Sequence, residues 1–381
     1  MTANLRHAAG SVLVVGLSGM ELTGLERAWL RVVRPAGAIL FRRNIADAGQ
    51  TRGLLNEATG LCGDHAMRCV DVEGGTVDRL RDALAPMPSA QAVAQAMRQS
   101  DDPDVARQHG ELIGQGVRAF GFNVTLAPVL DLALPESAAV MGSRSASGRA
   151  EEVVVFARQF FAGLAAHGVA GCGKHFPGLG GGKLDSHAET PQIHRNWEDL
   201  WRDDLAPYRA LREEIPMVMV NHAAYPDTEG GNLPATASAF WITEVLRKKV
   251  GYRGLIFSDD MEMGGILKFM PIEEAAIAAI RSGMDTLEIC HSPELILRAY
   301  ESLMEEAERS AAFRRILLRR SRDAARKRER MFRAGVPDAL GAEQFESLRG
   351  RILRFRERVT ELAGDDGSGS RAGARSVVET A

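Results

Sequence analysis

Gly254-Leu255-Ile256-Phe257-Ser258, followed at once by Asp259-Asp260, is the stretch on which the fold reading turns. Its centre is apolar without polar alternation, so a strand built from it has both faces covered. Runs of the same kind recur at Ser11–Leu17, Ala38–Phe41, Arg68–Val72, Phe122–Ala127, Gly168–Lys174, Met217–Asn221 and Thr286–Cys290. With Gly254–Ser258 they make eight strand candidates. Amphipathic segments lie between them, at Gln50–Leu61, Asp104–Gly116, Glu151–Ala166, Leu200–Arg212, Ala239–Val250 and Ile272–Ser282. Strands alternating with helices imply parallel pairing through βαβ units. Eight such units over roughly 290 residues predict an α/β fold, a single (β/α)8 TIM-type barrel. An open doubly wound sheet would carry a three-glycine turn after its first strand. The chain there reads Gly16-Leu17-Ser18-Gly19-Met20, without the third glycine.

Beyond Glu294 the pattern changes. Ile296 to Arg333 reads as one long basic helical tract, expected to lay a solvated face along the barrel exterior. Gly335-Val336-Pro337 ends it, and a further helix is expected over Glu343–Leu362. The Gly-Asp-Asp-Gly-Ser-Gly-Ser run after Ala363 has a disordered composition. The expected organisation is a barrel over 1–340, a C-terminal helical extension over 341–363 and a disordered tail over 364–381.

Composition narrows the partners. Lys and Arg total 47 against 50 Asp and Glu, a balance that gives no basic footprint for nucleic acid and suits an uncharged substrate. Cys62, Cys69, Cys172 and Cys290 form no Cys-x-x-Cys pair and read as buried free thiols, which points to a reducing, cytoplasmic setting. The polar start Met1 to Gly10 and the short apolar run after it do not make a signal peptide. No stretch approaches the ~18 apolar residues of a membrane span, so no membrane partner is expected. The sequence leaves oligomeric state open.

In a barrel, chemistry lies at the C-terminal strand ends. The strand ends and the loops after them carry Asp71-Val72-Glu73-Gly74-Gly75 with Arg79, then Asp131 with Arg144, then Lys174-His175-Phe176-Pro177-Gly178, then Asn221-His222, then Asp259-Asp260. Carboxylates, imidazoles, Lys and Arg gather at one rim, whereas charges that serve only solvation would scatter over both ends. A carboxylate on a rigid strand end has the fixed position a nucleophile needs. Successive strand side chains point oppositely, so one of Asp259 and Asp260 should face the pocket and the other cap the next helix. The residues alone do not choose between them. Asp185-Ser186-His187 can pair a carboxylate with an imidazole able to give and take a proton near neutrality. Gly178, Gly180, Gly181 and Gly182 suggest a mobile lid carrying that pair. Asp71, Arg79, Arg144, Lys174 and His175 supply fixed hydrogen-bonding groups for a polyol.

Competing readings are weaker. Gly180-Gly181-Gly182-Lys183-Leu184 lacks the first glycine and the Ser or Thr of a phosphate loop. His175, His187 and His222 with Asp71 are a candidate metal set, and Lys174 a candidate Schiff-base lysine. No cofactor is implied.

These motifs together resemble the family-3 glycoside hydrolases, in particular the bacterial β-N-acetylhexosaminidases of the peptidoglycan-recycling type. The resemblance rests on Gly37–Phe41 with Asn44, Val70-Asp71-x-Glu73-Gly74-Gly75, Ala127–Asp131, Lys174–Gly178, Asp185-Ser186-His187, Pro234-Ala235-Thr236-x-Ser238 and Ile256–Met261. It implies Asp259 as nucleophile, His187 as acid/base with Asp185 as its partner, and Asp71, Arg79, Arg144, Lys174 and His175 as the N-acetylglucosaminyl site. It implies a carbohydrate substrate and a retaining mechanism in which His replaces one of the two usual carboxyl groups. Related activities consistent with the resemblance are β-glucosidase, β-xylosidase, phosphorylase or a catalytically weak sugar-binding barrel. The chain departs from the pattern where Gly178-Leu179-Gly180-Gly181-Gly182 replaces the usual Gly-His-Gly-Asp-Thr.

Overall fold

The computed structural model describes residues 2–182, 190–335 and 339–363. Eight parallel strands close into a barrel: β1 (Leu13–Gly16), β2 (Gly37–Leu40), β3 (Met67–Val70), β6 (Val124–Thr125), β7 (Ala170–Phe176), β8 (Met217–Val220), β9 (Leu255–Asp260) and β10 (Thr286–Ile289), with β10 pairing back to β1. All eight strand candidates form, although β6 keeps only the centre of its expected run. A small antiparallel hairpin, β4 (Val72–Gly74) and β5 (Val77–Asp78), follows β3 directly.

Two apolar layers result. Val14, Met67, Cys69, Cys172, Met219 and Phe257 pack inside the barrel. A larger cluster fills the space between the strands and the surrounding helices. Burial on both sides explains why the strands are continuous apolar runs. The four cysteines are buried and free. No helix among the described residues is long and apolar enough to cross a membrane.

Three expectations are corrected. The start of the chain is not merely polar: Thr2–Gly10 is a helix that buries Leu5, Ala8 and Ala9. The basic tract is two helices, Pro293–Arg309 and Ala311–Phe332. They part at Ser310, whose side chain accepts from Phe313 N–H as an N-cap. The second of these helices crosses the N-terminal end of the barrel. Arg328 donates to Ser11 O, and Lys327 reaches Asp285, residues that precede β1 and β10. The segment Leu200–Arg212 is not one α-helix, because Leu200–Asp204 winds as a π-turn before Ala206–Ala210. The C-terminal helix spans Ala342–Ala363.

Candidate functional site

The site begins at the hairpin. Gly74 has φ 91°, and a Cβ there would lie 2.1 Å from Pro88 O, so only glycine lets the backbone pass this close. The tight path turns Glu73 inward, where it is 3% exposed. Arg144, on the turn Gly142–Arg144, grips Glu73 with two parallel bonds of 2.9 Å. Lys174 Nζ lies 2.6 Å from Glu73 Oε1 and 2.8 Å from Asp71 Oδ1. Burial alone would raise the Glu73 carboxyl, but Arg144 and Lys174 hold it well below the usual range. The two carboxylates in turn raise Lys174 against its own burial, so its amine stays protonated. That state disfavours a Schiff-base role.

Two register irregularities shape the mouth. Between β7 and β8 the pairing steps from Gly173↔Val218 to Phe176↔Val220, three residues against two. Between β9 and β10 it steps from Phe257↔Thr286 to Asp260↔Glu288, again three against two. A bulge of this kind breaks strict alternation and re-aims side chains. Lys174 and His175 therefore both border the cavity, as do Asp259 and Asp260. The expectation that only one aspartate would face the pocket is thus corrected.

His175 Nδ1 lies 2.6 Å from Asp131 Oδ2, and the same carboxylate accepts the His175 and Leu179 backbone N–H groups. Asp131 thereby places the proton on Nδ1 and leaves Nε2, 3.4 Å from Arg144, as an acceptor. The Asp260 N–H bonds Asp259 Oδ1 at 3.0 Å, and Asp260 Oδ1 accepts from Glu262 N–H. Burial and the neighbouring Glu262 push Asp260 up to about 8. Arg79 is buried at the cavity wall, 5.7 Å from the Phe41 ring centre.

The structure thus brings Asp71, Arg79, Arg144, Lys174, His175 and Asp259 to one cavity of about 830 Å³, solvent at the mouth included. Asp185 and His187 fall in 183–189, outside the described residues. Of the glycines before them, Gly178 and Gly180 are buried, and a Cβ on Gly180 would lie 2.8 Å from Leu132 O. They serve close packing. His222 braces β9, with Nε2 2.9 Å from Asp260 O, and is not among the cavity-lining residues. The metal set drawn from His175, His222 and Asp71 is not assembled among the described residues. The donors that do converge are those of Asp260, Glu262 and His291, within 4.8 Å of one another.

Sequence reasoning missed Glu73 as the hub of the charge network, Asp131 as the partner of His175, and Glu288 and His291 at the cavity. Glu73 and Asp131 had a signal, since both follow strands. Glu288 lies inside an apolar strand run, where a lone acid was the signal.

Residues 13–360 match the family model described as the glycosyl hydrolase family 3 N-terminal domain. A β-hexosaminidase of Idiomarina loihiensis is 33% identical over 279 residues, 73% of this chain and 83% of that one. One from Bordetella avium is 36% identical over 289 residues, 74% and 81% of the two chains. The solved family 3 β-N-acetylglucosaminidase of Paenibacillus sp. str. FPU-7 superposes with a TM-score of 0.82 at 30% identity, covering 92% of this chain and 68% of that one. Native NagZ of Neisseria gonorrhoeae gives 0.75 at 29% identity, covering 93% and 98%. With a closed parallel barrel, a charged rim and a family match over nearly all of its described length, the chain belongs to glycoside hydrolase family 3.

Proposed function

We propose that this glycoside hydrolase releases terminal β-linked N-acetylglucosamine, from cell-wall fragments, with retention of configuration. The observation that carries the reading is the placement of Asp259 at the end of β9, on the same cavity as the neutralised Asp71–Lys174–Glu73–Arg144 set. That set offers rigid donors and acceptors to sugar hydroxyls without net charge. The β-hexosaminidase names of the curated relatives and the β-N-acetylglucosaminidase name of the Paenibacillus structure support the N-acetylglucosamine specificity.

In this reading the Asp259 carboxylate attacks the anomeric carbon while His187 protonates the leaving oxygen. His187, oriented by Asp185, then takes a proton from water, which displaces Asp259 and restores the starting configuration. The roles of His187 and Asp185 rest on the family resemblance. Burial and the neighbouring Glu262 push Asp260 up to about 8, which makes it a poor carboxylate nucleophile near neutrality. Free, buried thiols fit a cytoplasmic place of action.

The test is turnover on a panel of aryl β-glycosides, with mass detection of a trapped glycosyl adduct on the Asp259 peptide. Fastest turnover of the N-acetylglucosaminide, lost in Asp259→Ala, supports the reading. An inert wild type on every aryl glycoside, or an adduct on Asp260, overturns it. A large rate gain with added phosphate would instead identify a phosphorylase.

A further inference from the structure

β10 carries one residue out of keeping with its surroundings. Leu287 and Ile289 pack outward among the helices, whereas Cys290 packs inward with Phe257, Met219 and Phe41. Alternation along the strand turns Glu288 inward too. Its side chain borders the cavity shared by Asp71, Lys174 and Asp259, yet the residue is only 2% exposed. Its backbone N–H bonds Ser258 Oγ at 2.9 Å. Its Oε1 is fully covered and has no hydrogen-bond partner among the described residues. Buried polar atoms are almost always satisfied, and an apolar residue would fill this layer without that cost.

The charge around Glu288 says what kind of partner it awaits. Burial, reinforced by Asp71, Asp260 and Asp259, raises its carboxyl well above the usual range, which favours the neutral form. A neutral carboxyl has one O–H donor and acceptor capacity besides. Rotation about its terminal torsion exchanges the two oxygens at little cost, so either reaches the cavity side. β10 also stands across the barrel from the β3–β6–β7 sector, which supplies Asp71 and Lys174.

We propose that Glu288 is a specificity-determining residue whose carboxyl hydrogen-bonds a neutral polar substituent, hydroxyl or amide, of the bound sugar ring, on the wall facing the Asp71–Lys174–Arg144 group. The inference deepens the proposed function and rests on it for the identity of the ligand as a sugar. A bound sugar would bond the carboxyl oxygen turned to the cavity side, which gives Glu288 a polar partner it lacks among the described residues.

The experiment compares the wild type with Glu288→Leu and Glu288→Gln on an aryl β-N-acetylglucosaminide. Leucine suits the apolar layer and removes a buried unsatisfied group, so the melting temperature should not fall. Expected is a KM about tenfold higher in Glu288→Leu with kcat within threefold of wild type, the signature of lost binding. Glu288→Gln, which keeps a donor and an acceptor, should restore KM to within threefold. A KM rise below threefold in the leucine variant, or a glutamine variant as weak as leucine, overturns the proposal. Calorimetry with N-acetylglucosamine separates the two ideas. A wild type without turnover whose sugar affinity depends on Glu288 rejects the hydrolase reading and keeps Glu288. Equal affinity in wild type and Glu288→Leu rejects Glu288 alone, and a wild type that binds no sugar rejects both.

Discussion

Lys174 Nζ stands 2.6 Å from Glu73 Oε1, with both side chains almost wholly buried, 4% and 3% exposed. Buried charges of this kind persist only when each is matched, and here Arg144 and Asp71 complete the matching. Glu73→Gln would leave two buried cations to share Asp71. The expected cost is about 3–5 kcal/mol of folding stability, read as a lower urea midpoint at pH 7. KM should rise as well, because Lys174 and Arg144 would lose their fixed positions. An unchanged midpoint would show that the network relaxes freely and does not hold the site.

The strands that carry this site were legible in the sequence because parallel strands buried on both faces must be apolar throughout. The residue types at the rim were legible for the complementary reason, that polar groups cluster where those runs end. What the sequence hides is register. Whether Asp260 joins Asp259 on the cavity depends on β9 spending three residues where β10 spends two, a relation between strands that no single strand encodes. The same holds for Lys174 and His175. The glycines after Pro177 are ambiguous for a related reason: a glycine that permits close packing and one that permits motion look alike in sequence, and Gly180 lies close against Leu132 O.

Asp131 is expected to govern His175. Its two oxygens accept the ring Nδ1–H, the His175 N–H and the Leu179 N–H. Asp131→Asn offers one oxygen and one donor, so one of these contacts becomes donor against donor. A ring flip or tautomer change would then point a donor from Nε2 at Arg144. Loss of roughly 10- to 100-fold in kcat/KM is expected, by analogy with partners that orient a histidine. The check is steady-state kinetics together with the His175 tautomer by nitrogen NMR; full activity with an altered tautomer would remove His175 from the binding set.

Stability should respond to pH in two opposite senses. The Glu73 pKa is lower folded than unfolded, so its contribution is complete above about pH 4.5 and is lost as pH falls through the folded value. Asp204, beneath Gly178, behaves in reverse, since burial outweighs Arg195 and pushes it up to about 7. Its contribution is complete below about pH 4 and is lost as pH rises through 7. Wild type should therefore be less stable at pH 8 than at pH 5.5 on account of Asp204, by on the order of 1–3 kcal/mol. Asp204→Asn should shrink that limb, with Asp260 and Glu288 keeping their own share of it, and leave the acid limb intact. Thermal melts across pH 3–9 check both, and a parallel shift of both limbs in the variant contradicts the assignment.

Holding the barrel together and running its chemistry should prove separable at Asp285. This carboxylate, wholly buried before β10, receives Arg247 at 2.5 Å, Lys327 at 2.7 Å and the Ile256 N–H at 2.8 Å, with Arg320 3.5 Å away. Burial opposes its charge, but Arg247 and Lys327 overcome it and keep the carboxyl below its ordinary range. Through these bonds one carboxylate ties the Ala311–Phe332 helix to the N-terminal end of the barrel, the end away from the cavity. Asp285→Asn should cost about 3–5 kcal/mol, since three cations lose their common partner. The strands' C-terminal ends are held independently by the Glu73 network and by Asp131, so KM and kcat per folded molecule should stay within twofold of wild type. Melting curves and active-site-normalised kinetics on the same preparation decide the matter. A variant that melts early but turns over normally confirms that the two ends are independent, whereas a fall in kcat matching the fall in stability would mean that the basic helix braces the mouth through the strands.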